Sequence, residues 1–173
     1  MSIDRNTLTF IALANEYCST LEQVCTDGAD REALVTDLLK LLPRLYICIT
    51  DYDASAAMLL SETDGRTISS ALDENVYMQV QDALAAIMGE DDTYLETSID
   101  EMRYSDTPVA ATISEHLADL YQVCYNLVHS IEDAPELLQQ QMMAECQETM
   151  EHYWGTILCS VMQALHAVAY NDF

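Results

Sequence analysis

The sequence predicts an all-α protein: an antiparallel bundle of about five main helices with a long C-terminal helix at its centre. Three observations carry this. Apolar residues recur at three- and four-residue steps over long stretches. Only four Gly and three Pro occur, and alternating runs are few, so the marks of an all-β chain are missing. The last third, Pro135 to Tyr170, keeps one apolar stripe: Leu138, Met142, Cys146, Met150, Trp154, Ile157, Val161, Leu165 and Val168. At ~1.5 Å per residue, a continuous helix there is roughly 50 Å long and can touch every other element. The chain has 173 residues, half of them hydrophobic. That fits a single domain over 1–173 with a real core.

The first helix is expected from about Asn6, a plausible N-cap, to Cys25, with Phe10, Ala14, Tyr17, Leu21 and Val24 buried. Gly28 suits its C-cap, and Asp30 can cap the next helix. That second helix carries Leu34, Leu38, Leu41 and Leu42, and Pro43 should kink or interrupt it. Residues 53–69 read as a crossover loop, whose length suits a mobile or functional segment. The third helix runs from about Ser70 to Met88. Ser70 and Asp73 have capping-box spacing, Val76, Val80, Leu84 and Ile87 face inward, and Gly89 ends it. Residues 90–111 form a second long, acidic connection whose spacing does not match a calcium-binding EF-hand loop. Thr112-Ile113-Ser114-Glu115 is a full capping box that opens the fourth helix, about Ile113 to Ile131. Asp133-Ala134-Pro135-Glu136 then stops one helix and starts the last, with Asp133 able to cap it, so the two should form an antiparallel hairpin.

The charge is extreme: 30 acidic residues face six basic ones, a formal net charge of −24. No Lys or Arg follows Arg103, while residues 104–173 carry ten acidic groups. Phosphate neutralisation needs Lys and Arg, so direct nucleic-acid binding is excluded, and anionic membranes are repelled. The plainer reading of the acids is a solvated surface; the sharper one is a docking surface for a basic partner. Six cysteines, none in a Cys-x-x-Cys pair, fall on or beside apolar stripes and read as small buried hydrophobes. The N-terminus lacks the basic start and apolar run of a signal peptide, and Thr156 to Tyr170 is too short to span a bilayer. The expected location is the cytoplasm.

For chemistry, the chain offers Glu148 and His152 at i,i+4 with Glu145 one turn before, and Glu115, His116 and Asp119 at the start of the fourth helix. These groups are expected toward one end of the bundle. Facing carboxylates and His hold metal in di-iron bundles, but the Glu-x-x-His signature is absent. The plainer reading puts Glu145, Glu148 and Glu151 on a solvated face with His152 at its edge. His166 lies in a nearly apolar run and reads as a buried, hydrogen-bonded residue. Tyr121, Tyr125, Tyr153 and Tyr170 lie beside the core stripes, either as rim packing or as a partner groove. No Gly-x-Ser-x-Gly elbow and no Gly-rich phosphate loop occurs.

Asp92 and Tyr94 after the Gly89 helix end, Ser114-Glu115-His116-Leu117-Ala118-Asp119-Leu120-Tyr121, Trp154-Gly155 and Ala164-Leu165-His166 resemble the bacterial "domain of unknown function 5063" family. The family often places His where this chain has Tyr153 and Ile157. The resemblance implies an all-helical fold and no assigned activity. It singles out Asp119, Tyr121, Trp154 and His166 as functional or packing positions. The expected function is a non-enzymatic acidic module that binds a basic protein partner, with no cofactor. The alternative is a metal- or small-ligand-binding bundle, including an enzyme, that uses Glu148 and His152. A minor third option is a nucleic-acid mimic.

Overall fold

The structure, a computed structural model, describes residues 5–55, 57, 67–96 and 107–171. Its helices are α1 (Arg5–Asp27), α2 (Arg31–Thr50), α3 (Glu74–Met88), α4 (Ile113–Ile131), α5 (Glu136–Thr149) and α6 (Gly155–Tyr170). A π-helical turn, Met150–Trp154, joins α5 to α6, so the two form one long C-terminal stave. Together they give the expected bundle of five main helices.

Each helix follows its apolar stripe. All five predicted core residues of α1 are buried, and Gly28 beyond its end has a φ of 67°. That is a left-handed conformation glycine adopts without strain. Asp30 caps α2 by accepting from the Ala33 N–H at 2.9 Å. Asn6 is not a cap; it lies inside α1, and its side-chain amide donates to the Asp51 carbonyl at 3.3 Å. This ties the start of α1 to the end of α2, so the two run antiparallel. α2 continues unbroken through Pro43. A proline inside a helix costs ~3 kcal/mol. Leu38, Leu41, Leu42 and Leu45 are all buried around it, and each contributes ~1.5–3 kcal/mol on burial. Tertiary packing therefore outweighs the local defect.

Asp73, not Ser70, is the N-cap of α3, accepting from the Asn75 N–H at 2.8 Å. Val80, Leu84 and Met88 are buried, Ile87 is half-buried, and Val76 in the first turn is exposed. Gly89 ends α3 at a φ of 59°. α4 has the bounds that the sequence predicts, and Thr112 accepts from the Glu115 N–H at 3.3 Å. The start of α5 differs from expectation. Its N-cap is Pro135, with no side-chain cap, and Asp133 is exposed. The stub is held instead by Gln139, whose amide donates to the carbonyls of Ile131 and Ala134.

The 90–111 connection is not all loop. After a 3₁₀ turn, Gly89–Asp92, the strands β1 (Thr93–Glu96) and β2 (Val109–Thr112) pair antiparallel. Thr93 lies opposite Thr112 and Glu96 opposite Val109. Four residues show two alternations at most, too few to register as a strand pattern. Residues 97–106 lie outside the described residues, as do 56 and 58–66 of the expected 53–69 crossover.

The core is one contiguous cluster fed by every helix. α4 touches α1, α3, α5 and α6, and shares the central place with the C-terminal stave. Tyr17, fully buried on α1, donates its hydroxyl to the Leu117 carbonyl of α4 at 2.8 Å. Of the six cysteines, Cys18, Cys124 and Cys146 are buried thiols, while Cys25 and Cys159 are exposed ones. Burial pushes the Cys146 thiol up to about 12, and it raises Cys18 and Cys124 as well. The thiolate is the reactive form. Native protein should therefore be alkylated at Cys159 and, more slowly, at Cys25, whose thiol is also raised by burial and by Glu22. Cys18, Cys124 and Cys146 should resist until the chain is unfolded. Peptide mapping after iodoacetamide treatment checks this, and native labelling of Cys124 or Cys146 would contradict the packing.

Candidate functional site

The first two turns of α4 gather the polar groups that the sequence singles out. Ser114 is buried. Its backbone N–H donates to Asp92 Oδ1 at 2.8 Å and its hydroxyl to Asp92 Oδ2 at 2.7 Å. Asp92, itself only 9 % exposed, thus satisfies one of the donors that the start of α4 leaves without a helix partner. Its negative charge also sits at the positive end of that helix. On the next residues, His116 Nδ1 meets the Tyr94 hydroxyl of β1 at 2.5 Å, and the rings lie edge to face at 5.8 Å. Asp119, one turn on, accepts from the Tyr77 hydroxyl of α3 at 2.8 Å.

Tyr77, Tyr94 and Tyr153 surround this helix start, and all three phenols are pushed up. For Tyr77 the causes are burial and then the bonded Asp119. For Tyr94 they are burial and Glu96. For Tyr153 they are burial, Asp119 and Glu115. These phenols therefore stay protonated at neutral pH, and Tyr77 donates its hydroxyl proton to Asp119. The arrangement orients Asp119 through Tyr77 and His116 through Tyr94.

The other predicted positions scatter. Tyr121 is buried on the far side of α4 and donates to Glu22 Oε1 of α1 at 2.9 Å. Trp154 is buried, its indole N–H donating to the Cys146 carbonyl at 3.1 Å, with Phe10 against its ring at 6.4 Å. His166 is exposed, contrary to the expectation of a buried residue, and lies against Tyr170 with ring centroids 4.8 Å apart. It falls between the buried positions Val161, Ala164 and Leu165 and the surface, on the outer side of α6. Glu148 and His152 are both exposed. Glu145 does not join them; it accepts from the Thr67 N–H and hydroxyl and from the Ile68 N–H, at 2.7–3.2 Å. It holds the chain that enters α3 against the C-terminal stave.

Tyr153 of that stave lies within the electrostatic reach of Asp119 and Glu115, whose charges help to raise its phenol. Among the described residues, no three His, Cys, Asp or Glu converge in a metal-holding geometry. The Asp92–Ser114, Tyr94–His116 and Tyr77–Asp119 pairs were not readable as pairs. Their members lie 22 to 42 residues apart in sequence. The signal that was there is the motif itself, since Asp92, Tyr94, Ser114, His116 and Asp119 all stand in the stretches that carry the family resemblance.

Comparison with known proteins bears on the fold and the family. The chain is similar to protein BF1032 from Bacteroides fragilis, a structural-genomics crystal structure. The TM-score is 0.79 at 27 % identity, over 98 % of this chain and 96 % of that one. No curated protein matches. The model of the family described as "Domain of unknown function (DUF5063)" matches residues 1–171, all but the last two positions, and the chain belongs to that family.

Proposed function

We propose that the protein is a non-enzymatic acidic helical module that binds a basic protein partner. The observation that carries this is the one-sided charge of the C-terminal half. Glu115, Glu132, Asp133, Glu148 and Glu151 are exposed there, and no Lys or Arg follows Arg103. Among the described residues only two ion pairs form, Arg31–Asp91 and Arg44–Glu16, and neither touches that half. The inward polar groups of α4 are engaged by tyrosines, Asp92 and Glu22, so they serve the fold. The outward carboxylates are what a partner meets. Such a field steers a basic partner into encounter and weakens as salt screens it.

The thiols of Cys18, Cys25, Cys124, Cys146 and Cys159 fit a reducing compartment, and the proposed location is the cytoplasm. No helix among the described residues is long and apolar enough to cross a membrane.

The test is affinity capture from cell extract at rising ionic strength. Captured proteins should be enriched in basic ones, with recovery falling as salt rises, and Glu148→Gln with Glu151→Gln should lower it further. Partners with no basic bias, or recovery indifferent to salt, would remove the basis for this reading.

A further inference from the structure

A groove of about 500 Å³ opens between the start of α2 and the end of α6. Such a volume suits a side chain or small ligand. Its floor is apolar: Val35 is 2 % exposed and Val168 is half-buried. Its rim is charged. Asp30 and Glu32 are exposed on the α2 side. Arg31, the one cation among the described lining residues, is paired with Asp91.

The sign of the field can be worked out. The start of α2 contributes roughly half a positive charge, and the end of α6 roughly half a negative one, so the two helix ends cancel. α6 has no basic residue in its last turn, and the final hydrogen bond, from the Asn171 N–H, goes to Ala167. The last residues of α6, Val168, Ala169 and Tyr170, line that end of the groove, where a helix has more carbonyls than helix donors. Arg31 and Asp91 also cancel. What remains is the pair Asp30 and Glu32 above an apolar floor.

We propose that this groove anchors the basic partner by taking one of its lysine or arginine side chains; this rests on the interaction reading above. A basic side chain has an aliphatic stem and a charged head. The stem lies along Val35 and Val168. The head reaches Asp30, Glu32 and the last carbonyls of α6. Tyr170, 68 % exposed at the rim, offers a ring face to the same cation. An anion would meet two carboxylates, and a wholly apolar occupant would strip them of water with no return.

The test uses the whole protein and two peptides, acetyl-Gly-Lys-Gly-amide and the same peptide acetylated on the lysine nitrogen. Backbone amide NMR at physiological ionic strength follows both titrations. The charged peptide should shift amides at the start of α2 and the end of α6, and the acetylated one should not. Glu32 is exposed, so its variants keep the fold, which the spectrum itself verifies. Glu32→Gln should weaken binding about threefold, the scale of one exposed ion pair, and Glu32→Lys should abolish the response. Asp82→Asn, at an exposed position of α3 outside the groove lining, should leave it unchanged. Shifts scattered over the acidic surface, equal binding of both peptides, or an unaltered response in Glu32→Lys would overturn the assignment. Salt-sensitive partner capture that survives Glu32→Lys overturns the groove and leaves the wider reading standing. Absence of basic partners for the unaltered protein overturns both.

Discussion

Trp154→Ala is expected to destabilise the protein by about 3–5 kcal/mol, the range for emptying a buried aromatic site. In a chain of this size that corresponds to a fall in Tm of roughly 6–20 °C. Three losses combine. The indole is 3 % exposed, so its removal leaves a cavity between α1 and the C-terminal stave. Its contact with Phe10 disappears. The Cys146 carbonyl loses one of its donors. That carbonyl keeps the Met150 N–H, however. Trp154→Phe, which retains most of the volume, should therefore cost only about 1–2 kcal/mol, the scale of one hydrogen bond and a small void.

The surroundings leave little room for repair. Gly155 follows, and a Cβ there would lie 2.5 Å from the Met150 carbonyl oxygen. The Gly155 N–H donates to that same oxygen, the bond that defines the π turn. The backbone is thus pinned on both sides of the indole. Urea unfolding followed by circular dichroism measures both variants, since the chain has a single Trp and both lose it. An alanine variant within 1 kcal/mol of the parent would show that the site collapses freely, contrary to this account.

Periodicity made the helices legible because burial on one face repeats every three to four residues. α4 is the clearest case: a capping box marks its start, and Ile113, Leu117, Leu120, Cys124, Leu127 and Ile131, all buried, repeat along it. Features that depend on a distant partner were not legible. Pro43 signals a break, yet the helix continues because four leucines around it are buried by other elements. Two four-residue strands are too short to show a pattern. The π turn adds one residue to its turn, and the buried position after Trp154 becomes Leu158 while Ile157 is only half-buried. His166 illustrates the reverse error. Apolar neighbours in sequence do not fix which way a residue faces when the helix covering it is narrow. In the site, residue identities were visible in the family motif, but the roles were not. Asp119, Tyr121 and Trp154 proved to be bonded to Tyr77, Glu22 and Cys146, each from another part of the chain or the preceding turn.

Asp92→Ala carries the second large effect, an expected loss of about 2–4 kcal/mol, because it strands two donors where water does not reach them. Ser114 is 2 % exposed, and both its N–H and its hydroxyl point at the one carboxylate. The carboxylate is charged and close to the start of α4, which strengthens both bonds. Asp92→Asn keeps the shape and one good acceptor but loses the charge, so it should fall between the parent and the alanine variant. Ser114→Ala removes the hydroxyl yet keeps the N–H bond. The double variant with Asp92→Ala should therefore cost less than the two singles added together, and that coupling is the direct measure of the contact. Additive costs would mean that the pair does not act as a unit. The same variants decide what the family motif is for. If Asp92→Ala lowers the urea midpoint while the folded fraction still captures basic partners, the motif maintains the start of α4 and function lies on the outward carboxylates. If capture is lost from protein that remains fully folded, the α4 start itself is the binding surface, and the outward carboxylates serve only to keep the protein in solution.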